Sequence, residues 1–215
     1  MNAINIASYN VRGFYSSRGA LSSLLNSCDI LLVQEHWLNN DNLSALGTLH
    51  NEFTSVGVSA MDSTQGILTG RPFGGVGIIW RKNLHGISPI LIDCESRVVG
   101  IRMKMADRPD LVIFNVYMPT QNSDSDEFQR ILGVLQVAIN DLGTCCCIIA
   151  GDFNTDPGKK HVEYFLLDDF VKDNNFISTD IERLPANTFT YLSDSCSAKS
   201  WLDHIICTKS ADAII

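Results

Sequence analysis

Cys145-Cys-Cys-Ile-Ile-Ala-Gly-Asp-Phe-Asn154 is the stretch on which the reading of the fold turns. Three cysteines and two isoleucines make a short continuous apolar run of strand length, and the run stops at Gly-Asp-Phe-Asn. This predicts a buried strand over residues 145–151. Neighbouring side chains on a strand point to opposite faces, so the trio Cys145, Cys146 and Cys147 cannot converge on one metal ion. Nor does it read as a disulfide framework. The residues just after the strand are more informative. An acid and an amide at the end of a rigid buried element are where sheet enzymes place reactive groups. Asp152 and Asn154, two apart, project the same way if the backbone stays extended; the plain alternative is an Asx turn closing the strand.

Similar segments rich in Val, Ile, Phe or Tyr fill the rest of the chain: 3–10, 29–35, 52–59, 75–81, 87–94, 97–104, 111–117, 187–191 and 202–207. Helical periodicity interrupts them. It is clearest over 17–27, with Leu21, Leu24 and Leu25, and over 124–141, with Phe128, Ile131, Leu132, Leu135 and Ile139. Asp124 followed by Glu127 reads as a capping box that opens the second helix. Consecutive strands without a helix between residues 75 and 117 predict an α/β chain of packed sheets carrying helices outside, in one domain spanning residues 1–215. The stretch Thr69-Gly-Arg-Pro-Phe-Gly-Gly-Val-Gly77 lacks the Gly-Lys-Ser/Thr ending of a phosphate cradle and reads as a loop entering a strand.

Composition narrows the class. The 215 residues are 45% hydrophobic and 19% charged, with seven cysteines, and no apolar run approaches the roughly 20 residues that span a bilayer. The N-terminus alternates like a strand and lacks signal-peptide regions. The expectation is an intracellular chain, in cytoplasm or nucleus, neither secreted nor bound to a membrane. A formal charge of −8 excludes a broadly basic surface that holds nucleic acid by counterion release alone. A local site with a bridging cation is compatible with it.

Polar residues at other strand ends complete the pattern: Asn10 in Ser8-Tyr-Asn-Val-Arg-Gly13, Glu35 in Leu32-Val-Gln-Glu-His-Trp-Leu38, Tyr117 in Asn115-Val-Tyr-Met-Pro119 and Asp203 in Ser200-Trp-Leu-Asp-His-Ile205. Glu35 ends the mostly apolar run Asp29-Ile-Leu-Leu-Val-Gln34, and a carboxylate emerging from a buried strand needs a partner such as a metal. Phosphodiester hydrolysis needs a positioned water and neutralised charge on the phosphate, tasks suited to magnesium with carboxylate ligands. Glu35 can supply a ligand and Asn10 a neutral oxygen. Asp152 and Asn154 can hold the water and a phosphate oxygen, and Tyr117 offers a hydroxyl donor. Taken singly, each of these residues also has a structural explanation, as a turn, a solvent-facing acid or a satisfied core tyrosine.

In this order, Asn-Val-Arg-Gly, Gln-Glu, Asn-Val-Tyr-Met-Pro, Gly-Asp-Phe-Asn, Thr-Phe-Thr-Tyr and Ser-Trp-Leu-Asp-His-Ile resemble the endonuclease/exonuclease/phosphatase superfamily over residues 3–207. Gln-Glu-His-Trp-Leu, Gly-Gly-Val-Gly-Ile and Ser-Trp-Leu-Asp-His-Ile look most like the apurinic/apyrimidinic-type endonuclease domains of non-LTR retrotransposons. The resemblance implies a DNase I-like four-layer sandwich, two mixed sheets flanked by helices, and a Mg2+-dependent (or Mn2+-dependent) DNA-nicking endonuclease. It places Glu35 and Asn10 at the metal and Asp152 on the attacking water. Asn154 and Tyr117 fall on the scissile phosphate, Thr188 on the substrate backbone, and Asp203 beside a histidine. That histidine belongs to a Ser-Asp-His motif that nothing from His204 to Ile215 supplies.

The expectation is therefore a chain truncated before its last strand, with a downstream reverse transcriptase as a partner in a longer polyprotein. His204 comes directly after Asp203, points to the opposite face and reads as structural. Arg12 stands where some relatives carry a second acidic residue, and Thr120 where many have asparagine. Lys159 and Lys160 read as a solvated loop more readily than as a DNA contact. Two other readings keep the fold: a catalytically impaired relic, or a phosphatase or phospholipid phosphodiesterase.

Overall fold

The computed structural model describes residues 3–61, 71–93, 95–120, 125–143, 145–193 and 196–213. One sheet has the order β1 (Ile6–Asn10), β2 (Ile30–Gln34), β4 (Val76–Arg81), β3 (Phe53–Val58). The larger sheet has the order β5 (Ile87–Ile90), β6 (Val98–Met103), β7 (Leu111–Tyr117), β8 (Cys146–Asp152), β12 (Asp203–Thr208), β9 (Phe176–Ser178). A two-stranded ribbon, β10 (Tyr191–Leu192) with β11 (Lys199–Ser200), stands apart. Two pairs are parallel, β1 with β2 and β7 with β8. Each needs a long crossover, and each has a helix to make it: α1 (Phe14–Leu25) and α2 (Ser125–Leu142). Two βαβ units thus lie at the heart of the two sheets.

Side-chain alternation builds the layers. Ile30 and Leu32 of β2 join Val76, Ile78 and Trp80 in a core shared with Val99, Ile101, Ile113, Cys146, Ile148 and Ala150 of the larger sheet. Leu31 and Val33 turn the other way, onto Phe14, Leu21 and Leu25 of α1. On the far side, Phe114, Cys147 and Ile149 meet Phe128, Ile131 and Leu135 of α2 and Leu167 and Phe170 of α3 (Val162–Asp173). The result is four layers, helix, sheet, sheet, helix, as expected. Each fully buried Leu or Ile contributes about 1.5–3 kcal/mol. The cysteine trio is core: Cys145 and Cys147 face the helices and Cys146 faces the other sheet.

Most differences from expectation fall in the C-terminal half. The strand read over 187–191 is only Tyr191–Leu192, because the N–H of Thr188 closes a turn on the Pro185 carbonyl. α3 carried no clear signal, since its apolar residues do not keep to one stripe: Val162 and Phe165 are exposed while Leu167, Phe170 and Val171 are buried. Asp124, the expected cap of α2, lies outside the described residues. The short helices α4 (Thr179–Arg183) and α5 (Lys209–Asp212) flank β12. Among the described residues no helix is long and apolar enough to cross a membrane.

Candidate active site

Parity along the strands decides what meets at the sheet ends. In β8 the residues facing the other sheet are Cys146, Ile148 and Ala150, so Asp152 continues that face; in β7 Leu111 and Ile113 lead to Asn115 and Tyr117; in β2 Ile30 and Leu32 lead to Gln34. Asn10, Glu35, Tyr117 and Asp152 all lie at the carboxyl ends of the two parallel pairs. A crevice outside those ends is where open α/β sheets bind ligands. Asp203 opens the antiparallel β12 directly opposite Asp152.

The geometry is close. Asn10 donates from Nδ2 to Glu35 Oε1 at 2.7 Å and to Asp152 Oδ2 at 2.8 Å. Glu35 also accepts from Trp37 Nε1 at 3.3 Å and from the Tyr117 hydroxyl. Its backbone is left-handed, with φ 54°, a conformation that costs a non-glycine residue about 1–2 kcal/mol. Gly13 N–H to Glu35 O at 2.8 Å and Phe14 N–H to His36 O at 2.9 Å hold the turn in place.

Asn154 is also left-handed, at φ 50°, so Asp152 and Asn154 do not sit on one extended run. The chain turns instead: Asp152 Oδ1 accepts from Asn154 N–H at 2.9 Å, and Asn154 Nδ2 donates to Met118 O at 2.8 Å. The Asx turn and the site are one structure. Thr188 makes none of these contacts among the described residues. Thr190 does: its hydroxyl accepts from the N–H groups of Leu202 and Asp203 and donates to the Asp203 carboxylate. The segment Thr-Phe-Thr-Tyr contains both threonines, and nothing in that spelling says which one the hairpin turns inward.

Beneath the site lies a polar pair to which the sequence reading assigned no role. Gln34 and Asn115 are fully buried. Gln34 Nε2 donates to Asn115 Oδ1 at 2.6 Å and to Ser8 Oγ at 3.1 Å, and Asn115 Nδ2 reaches the carbonyls of Val33 and Gly77 at 2.9 and 2.8 Å. An amide bonded to two strands of the facing sheet locks the sheets together just below Glu35 and Asp152. The available signal was Gln34 and Asn115 at inward positions of otherwise apolar strands.

Electrostatics set the site under tension. Asp152 is only 6% exposed. Burial, then the facing Asp203, with Glu35 a lesser contributor, raise its pKa to about 7 against the hydrogen bonds from Asn10 and Asn154. Burial also pushes Asp203 up, with Asp180 adding to it. Burial and the two carboxylates Glu35 and Asp152 keep the Tyr117 phenol protonated, its pKa well above the usual range. Arg12, left-handed at φ 45°, lies with Cζ 5.1 Å from the centre of the Tyr191 ring and bonds its hydroxyl. Its pKa is raised by that bond first, and by Tyr191, Glu35 and Asp152 through space.

Two histidines beside the site are structural. His36 is fully buried; its Nδ1 accepts from Leu38 N–H at 2.9 Å, so Nε2 carries the proton donated to Val58 O at 3.0 Å. Burial lowers its pKa to about 4. Between about 4 and 6.5 the unfolded chain therefore binds more protons at this residue. The stability from His36 is complete above 6.5 and falls as pH drops toward 4, by about 3 kcal/mol. NMR titration of the ring is expected to show a neutral Nε2–H tautomer down to the lower limit of that window. A midpoint near 6.5 in the folded protein would contradict it.

His204 points away from Asp203, as expected. Its Nδ1 lies 2.8 Å from Asp180 Oδ2 and its Nε2 2.9 Å from Thr155 O.

The donor set suits a hard divalent cation. The Asn10 amide nitrogen stands between two carboxylates, and no cationic side chain makes an ion pair with Glu35, Asp152 or Asp203 among the described residues. No three His, Cys, Asp or Glu side chains form a closed cage among those residues.

Comparison with known proteins agrees with this architecture. Solved structures of similar fold include the AP endonuclease LMAP from Leishmania major (TM-score 0.76, 16% identity, 98% of this chain and 80% of that one). A 3'-5' exonuclease from Neisseria meningitidis gives 0.73 and 18%, with 98% and 89% covered. The endonuclease domain of TRAS1, a telomere-specific non-LTR retrotransposon, gives 0.68 and 11%, with 96% and 85% covered. Among curated proteins no sequence match is found. Two packed sheets with a carboxylate and amide cleft at their common end define a hydrolytic enzyme of the DNase I-like class. Residues 7–213 match the Endonuclease/Exonuclease/phosphatase family, and the chain belongs to it.

Proposed function

We propose that the chain is a magnesium-dependent DNA-nicking endonuclease of the kind carried by non-LTR retrotransposons. The observation that supports it best is the convergence of Asn10, Glu35, Tyr117, Asp152 and Asp203 on one crevice between the two sheets. The ordered motifs and the fold shared with the TRAS1 endonuclease domain favour the retrotransposon type. A bound magnesium or manganese ion supplies positive charge to the phosphate oxygens and acidifies water. Glu35 would hold it, joined by Asn10 once that amide turns its oxygen, here bonded to Arg12 N–H, toward the carboxylates. Asp152, held by Asn10 and by the N–H of Asn154, is placed to accept a proton from the attacking water. Tyr117 keeps its phenolic proton and would turn it from Glu35 to a phosphate oxygen, and Asn154, anchored on Met118 O, directs its remaining amide capacity to the same phosphate.

One observation favours a second reading, a chain that binds metal but cuts slowly. Asp203 bonds Thr190, and among the described residues no histidine bonds its carboxylate.

Both readings are tested on supercoiled plasmid with magnesium. Under the first, wild type nicks, Asp152→Asn lowers the rate on the order of 10²–10⁴-fold, and Glu35→Ala abolishes nicking. Magnesium at 100 times its Kd is expected to stabilise the fold by about 2.7 kcal/mol, and Glu35→Ala removes this. Metal stabilisation without nicking would support the second reading. Nicking that survives Glu35→Ala, or hydrolysis of phosphate esters or phospholipid without action on DNA, would sink the first.

A further inference from the structure

We propose that Arg12, seated on the ring of Tyr191, is a substrate-binding residue that grips a DNA backbone phosphate beside the one being cleaved. The inference rests on the nuclease reading above. Three observations carry it. First, Arg12 is held at the mouth of the crevice by its own backbone: it is left-handed, and its N–H donates to Asn10 Oδ1 at 3.2 Å. The residue that reaches between the two carboxylates therefore also fixes where the arginine starts. Second, the guanidinium lies against Tyr191, near enough to Glu35 and Asp152 to feel both charges, yet it forms no ion pair with either or with any other described residue.

An arginine beside carboxylates ordinarily closes a bidentate pair with one of them. Here the aromatic shelf holds it off. A guanidinium has five N–H donors, the Tyr191 hydroxyl takes one, and no carboxylate takes the others. Third, two other cations near the crevice, Arg97 and Lys159, are already engaged. Arg97 bonds Tyr117 O at 3.2 Å and lies 3.7 Å from Glu127, while Lys159 bonds Ser200 Oγ and lies 3.4 Å from Asp156. A polyanion approaching a chain of charge −8 and a crevice lined with Glu35, Asp152 and Asp203 needs a local cation with donors to spare, and Arg12 is one. Planar, bidentate phosphate recognition also favours arginine over lysine at such a place.

The test is fluorescence anisotropy of a labelled DNA duplex across potassium chloride concentrations, with calcium in place of magnesium, beside the plasmid assay. Arg12→Gln is expected to weaken binding about 5- to 20-fold at low salt. It should also reduce the slope of log K against log salt by about 0.9, one phosphate contact. Arg12→Lys keeps the slope and loses part of the affinity. Tyr191→Phe retains the shelf and binds nearly as wild type, whereas Tyr191→Ala moves toward Arg12→Gln. A merely structural role would shift the melting temperature and leave the salt slope alone. Wild type that nicks and binds while Arg12→Gln matches it in affinity and slope overturns this inference only. Wild type that neither binds nor nicks overturns the nuclease reading and this one with it.

Discussion

Asp180→Ala is expected to destabilise the protein by about 3–5 kcal/mol, because it strands a buried charge. His204 is 2% exposed, and both ring nitrogens face acceptors only, the Asp180 carboxylate and the Thr155 carbonyl. Both must donate, so the ring is an imidazolium, with its pKa raised: burial opposes the charge, and the bond and charge of Asp180 outweigh it. Asp180→Asn should cost less, since an amide can donate to Nδ1 of a neutral ring while still accepting from Ile205 N–H, as Oδ1 of Asp180 does at 3.1 Å.

The pH dependence has a definite sign. A histidine with a raised folded pKa contributes stability that is complete below 6.5 and is lost as pH climbs through its folded value. Urea unfolding should therefore show the gap between wild type and Asp180→Asn narrowing as pH rises above 6.5. A gap independent of pH would mean the ring is neutral.

Gly151→Ala should be comparably severe, also about 3–5 kcal/mol, combining a clash with a strained backbone. Gly151 has φ 140°, and a Cβ there would lie 2.2 Å from Val116 O and 2.9 Å from Val116 N. The clashing atoms are backbone of the parallel neighbour strand, which cannot rotate aside. Relief requires β8 to move away from β7, and that also carries Asp152 away from Tyr117, its register partner. Urea unfolding measures the loss directly. A variant as stable as wild type would show that the two strands are less tightly registered than the structure has them.

The sheets were legible because their strands are runs rich in Val, Ile, Phe or Tyr; the trio Cys145 to Cys147 with two isoleucines after it could be little else. Glu35, Asp152 and Asp203 were legible as acids at the ends of such strands. Less could be read where position depends on partners far along the chain. The choice of Thr190 over Thr188 at Asp203 is made by the Pro185 turn and the pairing of Tyr191 with Ser200. The left-handed turns at Glu35 and Asn154 have no spelling of their own, since neither residue is glycine. Gln34 and Asn115 meet only because two strands 81 residues apart face each other.

The two βαβ units divide the chemistry between them. Asn10 and Glu35 come from the first, Tyr117 and Asp152 from the second, and each unit closes its own parallel pair without help from the other. Neither half holds a complete site. The proposed site is therefore a property of assembly: its members meet only where the two sheets dock across the Gln34 and Asn115 lock.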